Sequence, residues 1–337
     1  MRKWLWYLVS VVVVSCLFAA RAEAATVDYV DADGAPASCA DATVLPTGLN
    51  TTTTVLTTGC YATNGWSQLA GGRTTISGDV VLILTDGSFL VNNSGFGVAA
   101  GNSLTIYSQS FGTEMGTLYA NLSGGNAAIG QSLVGGSFNI GGDITINGGN
   151  ITVTGGAVGM LAGPNSAIHG KVVINNGVVK ATGDPDHYSG GDGVGGTVVI
   201  NGGTVIAIGG DSEYEPGSAL NGLIGLPESY IYWVNTDPVD PGGEGTVYSG
   251  GVGVPFVNSA SYRFVKIEWY EAGGEEEEEG EDGEDGDDEE GEGGEKAPGA
   301  PGAGVNSGGL TYARQGAMVL AVAFVIVGCG KLLLKKC

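Results

Sequence analysis

The stretch TVVINGGTVIAIGGD (residues 197–211) nearly repeats DITINGGNITVTGGA (143–157) and KVVINNGVVKATGDP (171–185). Each copy holds a short run rich in valine, isoleucine and threonine, then an asparagine with one or two glycines, then a second such run. Runs of that composition, bounded by glycine, read as strands bounded by turns. Aligning the copies places Asn147, Asn175 and Asn201 in equivalent positions, 28 and then 26 residues apart. A period of this size, built from a unit that cannot bury its apolar side alone, indicates a solenoid. A third, weaker stretch follows in each copy, such as GVGG (193–196) or GLIG (222–225). Three faces per turn predict an all-β, right-handed parallel β-helix (β-solenoid) whose coils stack about 4.8 Å apart. In that arrangement Ile146, Ile174 and Ile200 fill one interior column, the three asparagines form a hydrogen-bonded structural ladder, and the glycines turn the corner.

Composition agrees. Of 337 residues 63 are glycine, without the three-residue period of collagen, and 42% are apolar, which is enough for a core. The net charge of −23 argues against a nucleic-acid partner, which would demand basic surface. Between residues 25 and 272 the cations are Arg73, Lys171, Lys180, Arg263 and Lys266.

Both ends carry address labels. Residues 1–24 combine Arg2 and Lys3, an apolar run and Ala22-Glu23-Ala24, the three parts of a secretory signal peptide. The rival is a lipoprotein signal in which Cys16 is acylated. Residues 314–337 carry an apolar run followed by Lys335 and Lys336, and read as a transmembrane helix with a basic cytoplasmic tail. Its rival is a processed sorting signal, although no Leu-Pro-x-Thr-Gly precedes it. The acidic, glycine-rich segment 273–313 repels itself and is expected to be a disordered linker. The body would therefore stand outside the membrane, at the cell surface. Within it, residues 25–75 are expected to form an N-terminal cap and 76–228 the coils. The aromatic strands of 229–272 would form a C-terminal β cap, because a solenoid end exposes unpaired backbone that must be covered. Cys39 and Cys60 are the only cysteines of the exported body, and in an oxidising compartment they are expected to pair.

Two loops hold most of the candidate chemistry: GDPDHYSGGDG (183–193) and GDSEYEPG (210–217). If the period holds, they share one corner of successive coils, where Asp184, Asp186, Asp192, Asp211, Glu213 and Glu215 could converge. Several carboxylates at one corner suit Ca²⁺, which takes six to eight oxygens, with Asp184, Asp186, Asp192 and Asp211 as the ligand set. Neither loop has EF-hand spacing. Tyr188 and Tyr214 lie in the same loops, and aromatic faces beside Asp186 and Glu213 are the furniture of a sugar site. Exposed aromatics also anchor protein contacts. His169 and His187 have no metal spacing, and nothing near either resembles a nucleophile elbow. Arg73 and Arg263, near opposite ends of the body, leave the central coils without the arginine a polysaccharide lyase would use.

The segments VDYVDADGAPASCADATVL (27–45), TISGDVVLILTDGSFLV (75–91), AAGNSLTIYSQSFGTEMGTLYA (99–120) and NAAIG (126–130), with the ITINGG coils, resemble a family of exported bacterial proteins. These are labelled carbohydrate-binding-domain or adhesin-like surface proteins. The family's GAGIGG stretch survives only as Ala127-Ala128-Ile129-Gly130, Val158-Gly159-Met160 and Gly222-Leu223-Ile224-Gly225. The resemblance implies a cell-surface β-solenoid that grips polysaccharide with calcium's help. The expectation is thus a non-enzymatic, membrane-anchored binding protein for polysaccharide or surface glycan. The alternative partner is a host or neighbouring-cell protein, and a polysaccharide lyase or hydrolase comes third.

Overall fold

Side chains that branch at Cβ pack well on a pleated surface, and each copy of the repeated phrase resolves into two successive strands, one in each sheet: Asp143–Ile146 then Asn150–Thr154, Ile168–Ile174 then Val178–Thr182, and Val194–Ile200 then Thr204–Ile208. The computed structural model describes residues 24–122, 125–131, 141–156, 165–226, 229–248 and 261–269. The expected linker and anchor, and all but the last residue of the expected signal peptide, lie outside the described residues. The chain divides into two units, Met1–Glu276 and Glu277–Cys337, and the second lies wholly outside them. Among the described residues the protein is all-β, with no helix long and apolar enough to cross a membrane. Its strands form one sheet of eleven and one of ten, both mixed, with parallel pairing through most of their width.

The parallel pairs keep register from copy to copy. Ile146 is paired with Ile174 and Ile174 with Ile200, and all three are 0% exposed. The column runs back through Ile106 to Leu82. A second ladder aligns Leu118, Ile151, Val179 and Val205. A third aligns Phe96, Ile129, Ile168 and Val194. All of these side chains are buried in one cluster, and each contributes about 1.5–3 kcal/mol by leaving water.

The asparagine and glycine of the phrase have separate jobs. Asn175 Nδ2 donates to Asn147 Oδ1 at 2.6 Å, and Asn201 Nδ2 to Asn175 Oδ1 at 2.7 Å. The last glycine of each turn (Gly149, Gly177 and Gly203) has φ of 95°, 92° and 76°, a conformation that side chains disfavour. A Cβ on Gly203 would also stand 2.5 Å from Gly177 O, so these turns can stack only as glycine.

Antiparallel elements occur toward both ends. Ala24–Val30 pairs with Pro36–Val44, and the Cys39–Cys60 disulfide ties the latter to Val55–Ala62. At the other end Phe264–Trp269 returns antiparallel along Thr204–Ile208, which would otherwise be an open edge. Tyr230–Asn235 pairs beyond it.

Candidate functional site

The loops 183–193 and 210–217 run side by side, joined by their backbones. Asp186 N donates to Asp211 O (3.0 Å), Glu213 N to His187 O (3.2 Å) and Gly190 N to Glu215 O (2.8 Å). This alignment sets Tyr188 against Tyr214, ring centroids 5.5 Å apart and planes 14° from parallel. Both stay in solvent, 45% and 65% exposed. His187 meets both rings edge-on, and its Nδ1 lies 3.4 Å from Glu213 Oε1. Asp186 Oδ1 accepts from Tyr188 N at 3.0 Å, an Asx turn that fixes the backbone carrying that ring.

The carboxylates do not gather as the calcium expectation requires. Asp184 is fully buried, where its Oδ1 accepts from Asn165 N at 3.1 Å. Burial pushes its carboxyl up to about 6. Asp192 accepts from Ser218 N and Asn221 Nδ2, both at 3.0 Å. Burial raises the Asp192 carboxyl and lowers the nearby His169 imidazole. Asp211 is ion-paired with Arg263, Glu213 faces His187, and Asp186 is spent on its Asx turn. Among the described residues no group of three or more His, Cys, Asp or Glu could hold a metal ion. Asp184, Asp186, Asp192 and Asp211 therefore do not form the expected calcium ligand set, because each carboxylate is engaged separately.

The arginines also sit differently from their expected places. The antiparallel return of Phe264–Trp269 carries Arg263 to the 210–217 loop, where it pairs with Asp211. Arg73 donates to the carbonyls of Ala127, Phe96 and Gly130 at 2.6–3.0 Å, and burial lowers its guanidinium to about 10. It ties neighbouring coils together.

Sequence reasoning missed a pocket of about 160 Å³ beside the corner, lined by Asn165, Ser166, His169, Asp192, Glu215 and Asn221 among others. Gly195 shapes it: a Cβ there would fall 2.6 Å from Ser166 Oγ, 3.0 Å from His169 Nδ1 and 3.1 Å from Asp192 Oδ2. The missing side chain leaves these polar atoms gathered around a gap. Ser166 bonds Asp192 itself, so the serine–base–carboxylate order of a nucleophilic triad is not met. The one signal in the sequence was the Gly195-Gly196 pair inside a strand, which marks close approach. Comparisons with family models, curated proteins and solved structures give no match for this chain.

Proposed function

We propose that the chain is an exported, membrane-anchored surface protein whose body is a right-handed parallel β-helix, and that its 183–193/210–217 corner binds polysaccharide. Two in-register parallel ladders, Ile146–Ile174–Ile200 and Ile151–Val179–Val205, each drawing one strand from successive 26–28-residue copies, support the β-helix reading. The address labels at the two ends, and the resemblance to exported surface proteins, support the location. The observation that carries the binding reading is the exposed Tyr188–Tyr214 pair, held parallel by its own loops and flanked by Glu213 and Glu215.

Two parallel rings give a strip for the apolar faces of a sugar, and carboxylates accept from its hydroxyls. With Asp211 neutralised by Arg263, Asp186, Glu213 and Glu215 keep the corner acidic, so it repels polyuronates and favours neutral or amino sugars. Binding needs no metal. A glycan array with calcium and with chelator should retain the same glycans, and the Tyr188→Ala/Tyr214→Ala double variant should lose at least a part of them. An array with no retained glycan, or with retention equal in the double variant, removes the reading and turns attention to a protein ligand.

A further inference from the structure

We infer that a second groove, along the asparagine ladder, binds an uncharged pyranose chain. The groove encloses about 500 Å³, within the range of roughly 300–1,000 Å³ typical of ligand sites. Asn175, Asn176 and Asn201 line it where they leave their strands. Trp269 closes one side, and its backbone N–H donates to Gly203 O at 3.3 Å. The turn bearing Asp33 and Gly34 closes another with Phe111, whose ring lies 3.7 Å from where a Gly34 Cβ would stand.

The lining has the chemistry of a sugar site and of little else. Of the ladder amides that line the groove, Asn175 and Asn201 each spend at most one N–H and one lone pair on the ladder, keeping a donor and an acceptor for a hydroxyl. Asn201 ends the ladder, and its Oδ1 accepts from no described residue. Asn176 uses its Oδ1 on Gly177 N at 2.7 Å and keeps its amide hydrogens. Trp269 and Phe111 remain 57% and 37% exposed at the rim, where they do little for the core and offer apolar faces to pyranose C–H groups. Asp33 is the only charged residue of the lining, so nothing there pairs with an anion or gathers around a cation. A peptide strand is the less favoured occupant. The backbone N–H groups of Asn175 and Asn201 are already spent on Ile146 O and Ile174 O, leaving no free edge there to extend.

The ligand class rests on the glycan-binding reading, but the site is separate from the tyrosine corner, and the test keeps them apart. Cellotetraose, maltotetraose and tetragalacturonate would be titrated calorimetrically into the exported protein, with tetraglycine as the peptide probe. At least one neutral tetrasaccharide should bind, and tetragalacturonate should not. Trp269→Ala should weaken that binding tenfold or more, and Phe111→Ala severalfold. Tyr188→Ala/Tyr214→Ala should leave the Trp269-dependent part of it unchanged. Thermal melts of each variant report folding, and Asn201→Ala, at an exposed ladder end, supplies a second probe that should also weaken binding. The inference is overturned if no neutral tetrasaccharide binds, if binding ignores Trp269→Ala, Phe111→Ala and Asn201→Ala, if it vanishes only with the tyrosines, or if tetraglycine alone binds.

Discussion

Asp184 supplies the sharpest test of how this body is held together. Its carboxyl is 0% exposed, Oδ1 is bonded to Asn165 N, and Oδ2 has no partner among the described residues. A buried carboxylate with half its acceptors idle favours the neutral form, and burial lifts this group from 3.8 to about 6, with Asp186 adding a smaller push. The native state therefore holds the proton more tightly than the unfolded chain. The resulting stability is fully present below about pH 4, is lost as pH rises toward 6, and stays lost above. Two decades of proton affinity correspond to roughly 3 kcal/mol. Asp184→Asn keeps the shape, keeps the acceptor for Asn165, and cannot ionise. Its stability relative to wild type should therefore climb by about 2–3 kcal/mol between pH 4 and pH 7, whatever constant offset the amide introduces. Urea unfolding of both proteins across that range measures the difference, in which every other titrating carboxylate cancels. A difference that stays flat, or shrinks as pH rises, would refute the argument that the hydrogen bonds to Asp184 compensate its burial only in part.

Two further outcomes follow from the packing. Ile174→Ala empties the middle of a column between Ile146 and Ile200 and should cost about 2–5 kcal/mol in denaturant unfolding, whereas Val173→Ala, on the half-buried opposite face, should cost under about 1 kcal/mol. Separating Cys39 from Cys60 frees a loop closed over 21 residues, so Cys39→Ser/Cys60→Ser should lose about 3 kcal/mol by the same measurement, and reductant should then have no further effect.

What the sequence discloses here is whatever repeats. Ile146, Ile174 and Ile200 could be aligned before any coordinates, because parallel pairing in register turns a period along the chain into a column across it. The Arg263–Asp211 pair could not, since the strand that delivers Arg263 comes back antiparallel and lies outside the period. The pocket at Gly195 was hidden for a related reason: it joins residues of the third face, whose phrase has drifted furthest from the repeat. The carboxylates are the instructive case, because period alone would have separated them. Ser189 is bridged to Glu215 and Tyr188 is stacked on Tyr214, a spacing of 26 at this corner. At that spacing Asp184 falls opposite Gly210, Asp186 opposite Ser212, Asp192 opposite Ser218, Asp211 opposite Pro185 and Glu213 opposite His187. No carboxylate stands directly opposite another in the next coil, although Asp186 and Asp211 are diagonal neighbours joined through their backbones, and like charges placed opposite would repel in any case. The tyrosines do coincide. Counting the spacing, where composition only counted acids, predicts an aromatic pair on this corner and no cation.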